Sequence, residues 1–133
     1  MNTNEYHSFR LPAEWEPQSS VMLIWPHEDT DWHPYLKEIT EVYLQMADAI
    51  TRHEALLITA RNTELVRSLL AERLAEGQMK RVTLFTCDSN DTWARDVAPI
   101  SLVSDKEPKG SFQPLHLLDF CFNGWGEKFA AEK

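Results

Sequence analysis

The feature that most constrains the fold is a series of short, largely apolar runs separated by longer segments with helical spacing. The runs cover residues 21–25, 55–60 and 82–87. Runs of this kind predict strands, and the first run, which Pro26 stops, is predicted to be buried on both faces. Strands that alternate with helices indicate an α/β layer with parallel strand pairing.

The two segments between these runs carry apolar residues at three- and four-residue steps, which predicts amphipathic helices. The first helix is predicted over residues 34–52, and its inward stripe is Leu36, Ile39, Val42, Tyr43, Met46, Ala49 and Ile50. The second helix is predicted to begin after the N-cap Asn62 and to stop at Gly77. Its inward residues are Leu65, Val66, Leu69, Leu70 and Leu74.

After the third run the pattern changes to that of a hairpin. Residues 97–103 are predicted as a strand, and a charged turn at 105–110 leads to a last run, 115–122. From Leu118 this run alternates apolar and polar residues, which predicts a strand with one apolar face. Residues 1–20 are polar and irregular, and residues 10–17 within them are predicted to form an extended, partly docked arm.

Chain length and net charge limit the classes of function that this chain can have. The chain is predicted to form one domain at most over residues 1–133. Its 13 basic and 21 acidic residues give a net charge of −8. This charge argues against nucleic acid and anionic membranes as partners and mildly favours a cationic ligand. No apolar run approaches membrane-spanning length and the start lacks a signal peptide, so the expected location is the cytoplasm.

The two cysteines, Cys87 and Cys121, are too few for a disulfide framework and have no metal-type spacing. Each is predicted to be a small packed residue, because buried free cysteine is common. A reactive thiol needs an exposed and cationic setting instead.

The polar loop at residues 89–96 is the strongest candidate for a site. It lies between two predicted strands and carries Asp91 and Asp96 beside Trp93. Such loops lie at the end of a sheet, where pockets usually form. Carboxylates can accept paired N–H bonds and an indole face attracts a cation, so this set suits a planar cation. The alternative is that both carboxylates only pair with Arg95 and cap local turns.

A second polar loop, residues 26–33, is dense in acids, histidine and tryptophan. Its metal-capable side chains are His27, Glu28, Asp29 and His33. Adjacent residues on one loop seldom converge on a metal as zinc requires, so no metal site is predicted. Asp31 and Trp32 are candidates for a pocket edge, and simple helix capping is the favoured alternative because Pro34 suits a first helical turn.

Four separated motifs resemble one known family. Residues 90–99 and 119–128 resemble the agmatine deiminase and bacterial-type peptidyl-arginine deiminase family, and residues 11–17 and 23–26 resemble its N-terminal signature. The resemblance covers essentially the whole chain. It implies the α/β pentein fold, in which five ββαβ-type units surround a central channel. The chain is expected to hold about the first unit and part of the next.

The resemblance also implies an activity and residue roles. The family hydrolyses a guanidinium group to a ureido group and ammonia, without metal or organic cofactor; agmatine gives N-carbamoylputrescine, a step of putrescine biosynthesis, and peptidyl arginine gives citrulline. Asp96 matches the guanidinium-binding carboxylate and Trp93 an aromatic of the substrate channel. Asn123 belongs to a turn of the channel wall, and Asp31 and Trp32 are expected at its mouth.

The catalytic thiolate and histidine of this family have no match here. Neither Cys87 nor Cys121 matches the nucleophile, so the chain is expected to be the N-terminal part of a longer enzyme. The alternatives are an inactive module that binds arginine-like cations or serves assembly, and an unrelated α/β domain. A partial propeller leaves apolar surface exposed, so the expected partners are the remainder of the fold or a second copy.

Overall fold

A computed structural model describes residues 9–104 and 115–128, which fall into two compact units. Of the described residues, 9–17, 96–104 and 115–128 form the antiparallel unit and 18–95 form the parallel unit. The predicted charged turn at 105–110 lies outside the described residues.

The described strands are β1 Phe9–Arg10, β2 Ser20–Ile24, β3 Ala55–Ala60, β4 Val82–Thr86, β5 Ile100–Ser104 and β6 Leu115–Leu118. The helices are α1 Leu36–Thr51, α2 Thr63–Arg73, α3 Glu76–Met79, α4 Ala94–Val97 and α5 Gly124–Glu127, and a 3-10 turn, His33–Tyr35, precedes α1. Among the described residues, no helix combines the length and apolar character needed to cross a membrane.

The parallel unit is a three-stranded sheet in the order β2-β3-β4, with both pairs parallel. The α/β order and the parallel pairing predicted from sequence are therefore confirmed. On β3, Leu56 and Ile58 are fully buried and alternate with half-buried residues. On β2 only Leu23 and Ile24 are buried. The prediction that this strand is buried on both faces thus fails for Val21 and Met22, because β2 lies at an edge of the sheet.

Helix α1 lies within the predicted range, but the face that it buries is rotated about the helix axis from the predicted face. Leu44 and Ala47 are buried, whereas Met46 and Val42 are 37% and 46% exposed, and Ala49 is exposed too. The predicted stripe was therefore wrong at these three positions. The buried Thr51 satisfies its hydroxyl by donating to the Ala47 carbonyl at 2.6 Å, so a polar residue can join the core face.

Helix α2 begins as predicted, since the Asn62 Oδ1 accepts the Leu65 N–H at 3.0 Å. The predicted stop at Gly77 was wrong. The helix ends at Arg73 because Leu74 turns extended and enters the core, and Gly77 lies inside α3. Leu65, predicted to face inward, is 55% exposed.

The antiparallel unit is a three-stranded sheet in the order β1-β5-β6. Phe9 pairs with Ser104, and Ile100 pairs with Leu118. This confirms the hairpin pairing. Of the predicted arm only Arg10 pairs with the sheet, and the residues after it form a turn in which Trp15 is 88% exposed. The strand predicted from residue 97 starts only at Ile100, because α4 occupies the segment before it.

Two further expectations fail near these strands. The alternation after Leu118 does not form a strand, because the chain leaves β6 there and Phe122 packs edge-on against Trp125, with ring centroids 5.0 Å apart. Cys87 and Cys121 are exposed rather than packed. Both lie just beyond the end of a strand, where the backbone leaves the sheet.

Candidate functional site

The polar loops of the parallel unit meet at one edge of its sheet. Because β2, β3 and β4 run parallel, their carboxyl ends lie along the same edge. The segments that follow them are residues 25–33, 61–62 and 87–93. Both loops singled out from the sequence therefore emerge side by side, in the position where α/β sheets place ligands.

A hydrogen bond joins these two loops directly. The Trp32 indole N–H donates to the Thr92 hydroxyl at 2.9 Å. The Tyr43 hydroxyl of α1 also interacts with the Thr92 side chain. Burial raises the pKa of Tyr43, and the nearby Asp91 carboxylate adds to this rise. The structure thus brings Trp32 against the residue that precedes Trp93.

A second contact between the loops uses a buried histidine. His27 is 7% exposed, and its Nε2 hydrogen-bonds the Ser89 carbonyl at 2.8 Å. The Nδ1 of His33 hydrogen-bonds the Glu28 carbonyl at 2.8 Å. Both histidines therefore bond backbone carbonyls. Within residues 9–104 and 115–128, no group of three His, Cys, Asp or Glu side chains is arranged to hold a metal ion.

Arg61, which follows β3, links the same two loops through charge. It forms ion pairs with Asp29 after β2 and, at 3.3 Å, with Asp88 after β4. The hydrogen bond from Arg61 lowers the pKa of Asp29, so that carboxylate stays ionised well into the acid range. The carboxyl edge of the sheet thus carries a crowded set of acids with one guanidinium among them.

The predicted site residues of the parallel unit lie on this edge. Asp31 is exposed, Trp32 is half-buried, and the Trp93 indole is 60% exposed. The Asp91 carboxylate accepts the Thr92 backbone N–H at 2.6 Å. In the part of the chain that the structure describes, Arg95 makes no ion pair with Asp91. The pairing of Asp91 with Arg95 is therefore not seen, whereas its bond to the Thr92 N–H is a local contact of the kind that the alternative interpretation included.

Asp96 and Asn123 belong to the antiparallel unit. Asp96 lies on the short helix α4 and is exposed. The Asn123 Oδ1 accepts the Gly126 N–H at 3.0 Å, which caps a turn with unusual backbone angles. Residues Gly124, Trp125, Gly126 and Glu127 all have positive φ. For Trp125, a left-handed conformation is strained, and such strain collects at functional sites.

The parallel unit also contains an open cleft of about 600 Å³ between α1 and α2. Its lining is mainly apolar, with Trp25, Leu36, Leu65 and Leu69 beside His27 and Arg61. The residues predicted to bind substrate are not among those that line it. The cleft nevertheless shares residues 25–28 and 61–62 with the loops that form the carboxyl edge of the sheet.

Sequence reasoning missed Thr92 and the hydroxyl of Tyr43 as parts of the site. Tyr43 was assigned to the core from its helical spacing alone. A buried tyrosine hydroxyl usually needs a hydrogen-bond partner, so its polar end was the available signal. The contact between His27 and Ser89 joins residues 62 apart and had no local signal.

Comparison with known proteins agrees with these features. The profile of the Porphyromonas-type peptidyl-arginine deiminase family matches residues 10–133. The chain therefore belongs to this family. Agmatine deiminase of Medicago truncatula is 30% identical over 129 residues, which is 94% of this chain and 32% of that protein.

Solved structures give the same assignment. A variant of C. jejuni agmatine deiminase with substrate bound superposes with a TM-score of 0.76 at 34% identity, over 95% of this chain and 34% of that one. A Porphyromonas gingivalis structure described as an arginine deiminase gives 0.73 at 39% identity, over 93% and 33%. These structures have the pentein fold, so the α/β pentein prediction is confirmed. The chain spans about a third of the length of these relatives.

Proposed function

We propose that this chain supplies the guanidinium-binding part of a deiminase that hydrolyses agmatine or peptidyl arginine. The observation that carries the proposal is the match, over 95% of the chain, to an agmatine deiminase solved with its substrate bound. The exposed Trp93 on an acid-rich edge supports it, because an indole face and carboxylates suit a planar cation.

In this proposal each predicted residue has a role in holding the substrate. Asp96 accepts guanidinium N–H bonds, and Trp93 lies against the cation. Asp31 and Trp32 line the mouth of the channel, and Asn123 shapes its wall through the turn that it caps. Binding through carboxylates is strongest when both partners are charged, so Asp96 must be ionised to act.

The proposed reaction breaks one C–N bond and forms one C–O bond. A thiolate attacks the guanidinium carbon, the amino group leaves as ammonia after taking a proton, and water then displaces the sulfur to give the ureido product. No metal or organic cofactor takes part. We assign the thiolate to neither Cys87 nor Cys121, since neither matches the family's nucleophile, and a reducing cytoplasm suits such chemistry.

A second candidate function is a cation-binding module without turnover. The exposed Trp93 on the acid-rich edge suits cation binding by itself and so supports this function as well. Partners under this proposal are the remainder of the fold, supplied by another polypeptide, or a second copy of the chain. Binding of agmatine without ammonia release supports this function over the first.

The first experiment is the intact mass of the purified protein, followed by ammonia release with agmatine and with a peptidyl-arginine substrate on the same sample. Ammonia release, with a mass above the 15.4 kDa of this chain, supports the deiminase proposal. A mass of 15.4 kDa with agmatine binding but no ammonia supports the binding module. Absence of both binding and turnover contradicts both functions.

Asp96→Asn tests the central carboxylate. We expect agmatine binding to fall by at least about tenfold, because a neutral amide loses a charge-assisted pair worth roughly 1.5–3 kcal/mol. Titration calorimetry measures this affinity. Asp119→Asn, at another exposed carboxylate of the antiparallel unit, is the matched control and should leave it unchanged. Unchanged affinity in Asp96→Asn removes that residue from the site.

A further inference from the structure

Thr92 connects more elements of the parallel unit than any residue predicted to bind substrate there. Its hydroxyl accepts the Trp32 indole N–H at 2.9 Å across 60 residues of sequence. The same side chain interacts with the Tyr43 hydroxyl on α1. Its backbone N–H donates to the Asp91 carboxylate at 2.6 Å. One threonine thus ties the loop after β4 to a helix and to the loop after β2.

The partners of Thr92 are themselves held in place. Tyr43 is 8% exposed and packs edge-on against Trp25, with ring centroids 5.5 Å apart. Burial raises the pKa of Tyr43 above its ordinary value. The Trp32 backbone N–H donates at 3.4 Å to Thr30, which is 6% exposed. The side chains that contact Thr92 are therefore held in place themselves, and this restricts the orientation of Thr92.

The loop at residues 87–93 is anchored at two points. Ser89 is held through its carbonyl by the buried His27, and Thr92 is held by Trp32 and Tyr43. The next residue, Trp93, is 60% exposed. With Thr92 turned toward its partners, the direction of the chain on either side is fixed, and the indole is presented outward.

We propose that Thr92 is a positioning residue that orients Trp93 and Asp91 for a guanidinium ligand. This inference rests on the proposed function, because it takes Trp93 as the aromatic that meets the cation. An aromatic side chain that is already held in its binding orientation loses less conformational entropy when the ligand binds, and the smaller entropy loss raises the affinity.

The positioning role depends on the hydroxyl of Thr92. Two substitutions of this residue separate the effect of side-chain shape from that of hydrogen bonding. Thr92→Val keeps the branched shape but cannot accept the Trp32 indole N–H. Thr92→Ser keeps the hydroxyl. A matched control is Thr63→Val, which removes another threonine hydroxyl of the same unit, one that lies 3.2 Å from the Thr86 hydroxyl at the surface.

The test is an agmatine titration of the full chain labelled with ¹⁵N, observing the indole N–H signals of its five tryptophans. We expect Thr92→Val to move the Trp32 indole signal and to weaken agmatine binding roughly tenfold, the loss of about one hydrogen bond. Thr92→Ser and Thr63→Val should stay within about twofold of the unmodified chain.

The outcomes separate this inference from the proposed function. If the unmodified chain binds agmatine and Thr92→Val binds it equally well, the positioning role is wrong and the proposed function stands. If Thr92→Ser loses affinity as Thr92→Val does, the hydroxyl is not the positioning group. If the unmodified chain binds no agmatine, the proposed function fails and the inference fails with it.

Discussion

Among the described residues of the antiparallel unit, Glu16 has the carboxyl group whose pKa is most perturbed. Arg10 donates both Nη groups to its carboxylate at 2.6 and 2.8 Å, and the Ala13 N–H donates to it at 2.7 Å. The bidentate bond from Arg10 is the larger cause, and together these donors lower the pKa of Glu16 to about 2.

We predict that Arg10→Ala raises the pKa of Glu16 back toward 4.5, while the remaining Ala13 N–H keeps it somewhat below that value. Carboxyl-detected NMR titration measures the shift. Lys37→Ala, which removes one positive charge from the surface of α1, should leave it in place. An unmoved Glu16 titration in Arg10→Ala contradicts the contact.

The same pair predicts a pH dependence of stability. The folded pKa of Glu16 lies below its ordinary value, so its contribution is complete above about 4.5 and is lost as the pH falls toward about 2. Acid unfolding of the unmodified chain should therefore steepen within this window, and Arg10→Ala should show a weaker dependence there. Urea unfolding at several pH values measures the slope.

Among the elements, α2 offers a test of which face is buried. Leu70 is fully buried, whereas Leu65 on the same helix is 55% exposed. We predict that Leu70→Ala lowers the free energy of unfolding by about 2–5 kcal/mol, through lost burial and a cavity. Leu65→Ala, with the same change in helix propensity, should cost about 0.5 kcal/mol or less. Equal losses in urea unfolding contradict this orientation of the helix.

The turn at residues 123–127 offers a test of backbone strain. Gly126 has φ +77° and open space where a Cβ would lie, and Gly77 in α3 also has open space. We predict that Gly126→Ala destabilises by about 1–2 kcal/mol, because left-handed backbone is costly for alanine. Gly77→Ala should instead stabilise by about 0.5–1 kcal/mol. Thermal unfolding of both variants measures the difference, and a neutral Gly126→Ala contradicts the conformation.

Elements that depend on local sequence were predictable. The strand–helix order, the parallel pairing and the Asn62 cap follow from residues near one another in the chain. The rotation of α1 that exposes Met46, and the early end of α2 at Leu74, depend on how the helices pack on the sheet. Local periodicity contains no information about that packing.

The candidate site likewise has a part that could be predicted from the sequence and a part that could not. The two polar loops were predictable, because parallel strands place their carboxyl ends together. The partners that fix those loops were not, since Thr92 meets Trp32 across 60 residues and His27 meets Ser89 across 62. Such pairs arise only when the sheet is assembled. The roles of Asp31, Trp32, Trp93, Asp96 and Asn123 in binding remain predictions.

For the whole molecule, the notable feature is the apolar surface of the antiparallel unit. Its exposed side chains include Leu115, Leu117 and Phe120, which are 55%, 57% and 66% exposed. Clustered apolar residues at the surface commonly mark an interaction site. The relatives are about three times as long as this chain, so their additional sequence is available to cover such surface.

We predict that the purified chain self-associates through this surface, and that salt promotes the association. The net charge of −8 makes copies repel one another, and raising salt from about 0.01 M to about 0.1 M shortens the screening length from about 30 Å to about 10 Å. Sedimentation at several concentrations should show species above 15.4 kDa that increase with salt.

Leu117→Ser should reduce these associated species, because it removes apolar surface from β6 without adding charge. Leu65→Ser, at a similarly exposed leucine of the parallel unit, is the control that should not. A monomer at every salt concentration, or equal effects of the two variants, contradicts the prediction.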